Sequence, residues 1–153
     1  MRVGFDLDGT IVYLNSPLLH LLDCIKDLEE KRLWEESYYR GLSLRYNPRD
    51  FLHENDEGII ITGRLIDNPV VEAITQRWVA KNFPDFELIM IGGDRPTSFV
   101  TEEEWNAWNA EITERKAQAI IDNNVDVYFD DSPSIITRLR ARGIVAIQLG
   151  GRL

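Results

Sequence analysis

The chain has 153 residues, the length of one domain, and 44% of them are hydrophobic, enough to close a core without disulfide or metal staples. Acidic residues outnumber basic ones 26 to 17, for a net charge of −9, which disfavours extended nucleic acid because that partner selects a basic face. The single cysteine, Cys24, excludes an internal disulfide, no Cys/His cluster offers structural zinc, and no apolar run approaches a membrane span.

The opening MRVGFDLDGT lacks the basic and long apolar regions of a secretory signal, so a cytoplasmic protein is expected. Its residues Arg2 to Leu7 read as a first strand. Ser16-Pro17 then supplies an N-cap and a proline at the first helical position. Leu18, Leu21, Leu22, Ile25 and Leu28 keep helical spacing towards a stop at Gly41, predicting one long helix from Pro17 to Arg40 with Cys24 buried in it. The acid-rich stretch from Asp27 to Glu36 reads as its solvated face. Pro48 to Glu54 leads back to a second strand, Gly58 to Thr62. Roughly 50 residues separate these strands, more than a βαβ crossover needs, so positions 15–56 are expected to form a small helical insertion. Asn68-Pro69 opens a helix with Val70, Val71, Ile74 and Trp78 on one side, and Phe86 to Ile91 reads as a third strand. Thr101-x-x-Glu104 matches a capping box ahead of Trp105, Trp108 and Ile112, tryptophans read here as core. Val125 to Phe129 is the fourth strand candidate. Ser132-Pro133 opens a last helix, Gly143 closes it, and Ile144 to Leu149 is the fifth strand. Near-continuous apolar strands imply a sheet covered on both faces. The expected fold is α/β: a single domain, 1–153, with a doubly wound, Rossmann-like, mostly parallel five-stranded sheet and a helical insertion after strand one.

In such a sheet ligands bind outside the carboxyl ends of the strands. Strand one delivers Asp6-Leu7-Asp8-Gly9-Thr10 there, strand two Thr62-Gly63-Arg64, strand three Gly92-Gly93-Asp94, and strand four Asp130-Asp131-Ser132. Four aspartates converging on one edge would raise one another's pKa unless a cation joins them. All-oxygen ligands point to a hard ion, Mg²⁺ first.

Asp6-x-Asp8-Gly9-Thr10 after an apolar strand, Thr62 after the second, Lys116 in a later helix and Asp130-Asp131 after the fourth resemble the four motifs of the haloacid dehalogenase-like (HAD) phosphohydrolases, in family order. The resemblance implies an aspartyl-phosphate mechanism with Asp6 as nucleophile and Asp8 as general acid and base. It implies that Thr62 bonds a phosphoryl oxygen and that Lys116 neutralises the nucleophile and the transferring group. It also implies Mg²⁺ held by Asp6, the Asp8 backbone carbonyl and the Asp130-Asp131 pair, with Asp131 matching the direct ligand and Asp130 the supporting one. An acid at position 8 favours phosphatases over dehalogenating members. This chain departs from the common pattern in holding Ser134 and Ile135 where many relatives have a further acid, and Ala117 after the lysine.

Thr62, Gly63 and Arg64 are the expected phosphate and substrate contacts. With the tandem aspartate and Arg77-Trp78-Val79, they look like the phosphatase domains of polynucleotide kinase-phosphatases, and the tandem aspartate recurs in deoxyribonucleotidases. The expected activity is therefore a Mg²⁺-dependent phosphomonoesterase acting on a small phosphorylated metabolite, a nucleotide first, with a polynucleotide end as the alternative. Substrate selection is expected from the insertion and from loops 63–68 and 92–100, and Arg40, Arg45, Arg49, Arg64 and Arg95 are candidates for a positive mouth. His20 and His53, in the insertion, are read as structural. A signalling receiver domain also gathers aspartates, a threonine and a lysine, but its phospho-accepting aspartate belongs at the end of strand three. A silent HAD-like binding module is disfavoured by the presence of Asp6.

Overall fold

Phe5, Ile60 and Phe129 lie side by side in register at the centre of a parallel sheet, and this pairing organises the molecule. The structure is a computed structural model that describes residues 1–64, 68–92 and 101–150, with the side chains of Ser16, Leu19, His20, Asp23 and Trp105 outside that description. Its strands are β1 (Arg2–Phe5), β2 (Glu57–Thr62), β3 (Glu87–Met90), β4 (Val127–Asp130) and β5 (Ala146–Gln148). They pair in the order β3-β2-β1-β4-β5, every pair parallel. The helices are α1 (Ser16–Asp23), α2 (Leu28–Arg40), α3 (Pro69–Asn82), α4 (Glu102–Asp122) and α5 (Pro133–Ala141), with a 3-10 turn at Pro48–Phe51. This is the expected doubly wound, Rossmann-like α/β fold.

Strand alternation sorts the core into two layers. Ile60 points into one with Val3, Phe5, Leu7, Val79, Phe83 and Phe86. Its neighbours Ile59 and Ile61 point into the other with Ile120, Tyr128, Ile136, Leu139 and Ala146. Both faces are dry, which is why the strands read as continuous apolar runs. The chain fills one side of the sheet with β2 and β3, then crosses to the other with β4 and β5. The strand order therefore reverses at β1 and β4, and it is beyond the carboxyl ends at such a switch point that sheets of this kind bind ligands.

The segment between β1 and β2 differs from expectation. Instead of one helix from Pro17 to Arg40 there are two, interrupted at residues 24–27. The Asp27 carboxylate accepts a hydrogen bond from the Glu30 amide at 2.8 Å and starts α2 afresh, while the Cys24 and Ile25 amides close a tight turn back to Leu21 and Leu22. An apolar repeat cannot register such a stop; a capping carboxylate can. Cys24 sits at this break and is exposed, not buried. Of the leucine stripe, Leu22 is buried while Leu18, Leu21 and Leu28 are exposed. Lys31 and Glu35 are buried, contrary to a solvated face, because α2 packs on α3.

Among the other helix starts, Asn15 rather than Ser16 caps α1, accepting from the Leu18 amide. Asn68 and Thr101 cap α3 and α4 as expected. Ser132 occupies the cap position of α5 without a capping bond, its hydroxyl paired with that of Ser134. Trp78 packs against the core edge-on to Phe83, and Trp108 is half-buried beneath Arg115. Among the described residues no helix is long and apolar enough to cross a membrane.

Ile60 is fully buried at the centre of the sheet. Ile60→Ala should cost about 2–5 kcal/mol and lower the melting temperature by several degrees in a thermal denaturation series.

Candidate active site

Beyond Phe5 the chain runs one more residue along the sheet: the Asp6 amide donates to the Phe129 carbonyl at 2.8 Å, which places Asp6 against the end of β4. It then turns. Val12 donates to the Leu7 carbonyl, Gly9 donates to the Val12 carbonyl, and Gly9 adopts φ +81°. A side chain at position 9 would strike the Asp131 carboxylate, so glycine there serves both the left-handed turn and the approach of the two aspartate loops.

Residue 116 of α4 reaches this edge from the other layer. The Lys116 ammonium donates to Asp6 Oδ1 at 3.1 Å and to Asp130 Oδ2 at 2.8 Å, and Asp130 Oδ1 accepts from the Ser132 amide at 2.9 Å. Asp130 is fully buried with both oxygens engaged, whereas Asp131 is partly exposed. Asp6, Asp130 and Asp131 present carboxylate oxygens within 4.8 Å of one another, a grouping that can hold a metal ion. An all-carboxylate set suits a hard divalent cation, Mg²⁺ or a similar ion, and would need such a charge to keep three acids ionised together.

The electrostatics express this crowding. Burial pushes the Asp6 carboxyl well up; Lys116 draws it down, while Asp130, Asp131 and Asp8 add to the rise. Burial alone would lower the Lys116 ammonium, yet Asp130 and Asp6 reverse that and hold it above its ordinary value. Burial, then Asp130, raises Asp131 to about 6.

Asp8 lies in different surroundings from Asp6, two residues away. Arg64 grips it as a fork, Nε to Oδ2 at 2.9 Å and Nη2 to Oδ1 at 2.8 Å. The third guanidinium nitrogen, Nη1, donates to Thr75 Oγ1 at 2.8 Å, and the Tyr39 ring covers the guanidinium at 4.5 Å. Burial works against the Arg64 cation, but Asp8 outweighs it and raises its pKa. Thr62 is buried at the end of β2, two residues beyond the Ile60 that pairs with Phe5, and its hydroxyl accepts from the Arg64 amide at 3.2 Å. Gly63 follows, half-buried, and Gly92, two residues past β3, passes so close that a Cβ there would collide with the Arg64 carbonyl.

Asp6, Lys116, Asp130 and Asp131 thus form one cluster, and Asp8 with Arg64 a second beside it. The Arg64 guanidinium, expected at the substrate, is buried and directed to Asp8 and Thr75. Tyr39 and Thr75 carried no sequence signal, since neither belongs to a motif and their relevance arises only through contact with Arg64. Of the other arginines, Arg45 donates to the Gly9 carbonyl at 3.2 Å and so borders the site. Arg49 pairs with Asp85 over the rings of Phe83 and Phe86, and Arg40 is exposed. His53 is exposed. Arg95, Asp94, and most of the two loops expected to select substrate (65–67 and 93–100) lie outside the described residues.

No family model matches the sequence, and no curated protein matches it. In structure the chain is similar to a chain of an assembly described as the Pnkp1/Rnl/Hen1 RNA repair complex, at 16% identity and a TM-score of 0.52. The similarity covers 99% of this chain and 43% of that one, so this chain spans less than half of its neighbour's length. At that identity the likeness is one of fold: an α/β domain on a parallel sheet.

Burial and Asp130 raise the Asp131 carboxyl to about 6, so an incoming cation competes there with a proton as the pH falls. Cation affinity of this cluster, measured with Mg²⁺ by titration calorimetry, should therefore rise as pH increases through about 6, and Asp131→Asn should weaken that rise without abolishing it, because the raised Asp6 carboxyl also exchanges a proton for the cation. Lys116→Met leaves buried carboxylates without their counter-charge, so it should lower stability by about 3 kcal/mol or more, with Mg²⁺ restoring part of the loss in thermal melts.

Proposed function

We propose that the chain is a Mg²⁺-dependent phosphomonoesterase of the HAD-like class, acting through an aspartyl-phosphate on a small phosphorylated metabolite, a nucleotide first. The observation that carries the reading is the segregation of two aspartates two residues apart. Asp6 faces the Lys116 ammonium and the Asp130-Asp131 pair, and Asp8 faces Arg64.

In this reading a carboxylate oxygen of Asp6 attacks phosphorus as the bond to the leaving oxygen breaks, and Asp8 gives its proton to that oxygen, releasing the alcohol. Asp8 then takes a proton from water as the water oxygen attacks the aspartyl-phosphate, freeing Asp6 and inorganic phosphate. Lys116 neutralises the nucleophile throughout, and the Thr62 hydroxyl and Gly63 backbone are assigned to the phosphoryl oxygens. Asp6, Asp130 and Asp131, with the Asp8 carbonyl, would hold the cation. Bound there, it offsets the negative charge of the carboxylates and of the transferring group. Asp130, each of whose oxygens already accepts one bond, from Lys116 and from the Ser132 amide, is assigned the supporting role, and the less engaged Asp131 the direct one. We assign residues 15–56 to a cap-like insertion in a single domain.

A second reading, a polynucleotide-end phosphatase, draws on the fold-level neighbour in an RNA repair assembly and on the Thr62-Gly63-Arg64 and tandem-aspartate motifs. The net charge of −9 weighs against long polynucleotides.

Incubation with Mg²⁺ and 4-nitrophenyl phosphate should release nitrophenolate, EDTA should silence it, and Asp6→Asn should abolish turnover; undiminished turnover in that variant would refute the nucleophile assignment. A panel of phosphorylated metabolites, 5′- and 3′-nucleotides and phosphate-ended oligonucleotides separates the two readings.

A further inference from the structure

We propose that Tyr39, on the helix that precedes the return to the sheet, is a positioning residue for the acid–base carboxylate Asp8 and acts through Arg64. The inference rests on the phosphomonoesterase reading and deepens it, because it makes the segment between β1 and β2 part of the chemistry as well as a candidate for substrate selection.

The argument starts from the fork. Two N–H bonds from Arg64, one to each Asp8 oxygen, make a bidentate pair whose best geometry is a shared plane for guanidinium and carboxylate. They take the outward lone pair of each carboxylate oxygen and leave one lateral lone pair on each for a proton or a water. The plane of Arg64 therefore dictates where Asp8 can deliver a proton. Thr75 on α3 fixes that plane at the third nitrogen, and Thr75 is itself tied down, donating to the Val71 carbonyl at 2.8 Å. Sliding within the plane is thus resisted at all three nitrogens. Tilting out of it is resisted by these bonds only through their angular preference, and the face of the guanidinium is where Tyr39 lies, at 4.5 Å. Arg64 is 6% exposed, so the ring acts on a cation largely withdrawn from water. Since α2 packs against α3, Tyr39 and Thr75 approach Arg64 from two helices of one packed pair.

Proton transfer requires the acid within hydrogen-bond reach of the leaving oxygen, so a tilt of the fork should cost most where protonation matters most. An alkyl monoester needs its leaving oxygen protonated as the P–O bond breaks; 4-nitrophenolate departs without that help. Hydrolysis of the aspartyl-phosphate needs Asp8 as base whichever ester formed it.

The test compares kcat and kcat/KM of wild type, Tyr39→Leu, Tyr39→Phe and Arg64→Lys on glycerol phosphate and 4-nitrophenyl phosphate with Mg²⁺, using variants whose circular dichroism and melting temperature show them folded. Tyr39→Leu and Arg64→Lys should lower kcat/KM for the alkyl ester by about 10²-fold while sparing that for the nitrophenyl ester, and Tyr39→Phe, which keeps the ring, should retain both. Where dephosphorylation limits turnover, kcat should fall for both esters in the first two variants. An equal loss of kcat/KM on both esters, or no loss in a folded Tyr39→Leu, overturns the inference and leaves the phosphatase reading standing. A wild type inactive on every monoester removes that reading and the inference with it.

Discussion

A buried ammonium between two buried carboxylates is the constraint on which the rest of this site depends. Asp6 follows β1, Asp130 ends β4, and Lys116 comes from α4 on one face of the sheet. Without that cation the switch point of the sheet would gather acids that cannot all stay ionised away from water. Asp131 shows the residual tension, its carboxyl raised to about 6 by burial and by Asp130. The arrangement leaves three carboxylates around one ammonium, and so a demand for further positive charge. A divalent cation answers such a demand.

The second ion pair gives the site its asymmetry. Asp6 and Asp8 are the same residue type, separated by one leucine whose side chain is buried in the core. Leu7 anchors the backbone so that its two neighbours leave it in different surroundings: Asp6 towards the lysine and the aspartate pair, Asp8 towards Arg64. Two carboxylates with unlike partners sit in unlike electrostatic surroundings, which is what the proposed division between attack and proton transfer requires. The close pass of Gly92 over the Arg64 carbonyl and the left-handed Gly9 beneath Asp131 show how little room the backbone leaves for rearranging either pair.

The segment between β1 and β2 connects this chemistry to the outside of the molecule. Its first helix shows much of its apolar stripe to solvent, with Leu18 and Leu21 exposed, while the second buries Lys31 and Glu35 and brings Tyr39 onto Arg64. Among the described side chains the two helices differ in attachment: α2 packs on α3 and covers the buried arginine, while α1 contacts α2 and buries Leu22. Arg45, which follows α2, returns to the Gly9 carbonyl and links the same segment to the turn after Asp8.

Much of this was legible in the amino-acid sequence. Five apolar strands and the helices between them are local patterns, and their alternation implies a parallel sheet whose carboxyl ends carry Asp6, Asp8, Thr62, Asp130 and Asp131. Spacing along the chain determined that much because backbone periodicity and turn chemistry act over a few residues. The sequence also pointed to Lys116, through motif order. What it could not determine was contact between residues distant in the chain: the interruption of the first helix by Asp27, the exposure of Cys24, the burial of Lys31 and Glu35, and above all the grip of Arg64 on Asp8 under Tyr39 and beside Thr75. An arginine after a strand reads as a substrate contact because its charge is visible and its partner is not. Only tertiary packing, which brings residues 8, 39, 64 and 75 together from four separate elements, decides where that charge is spent.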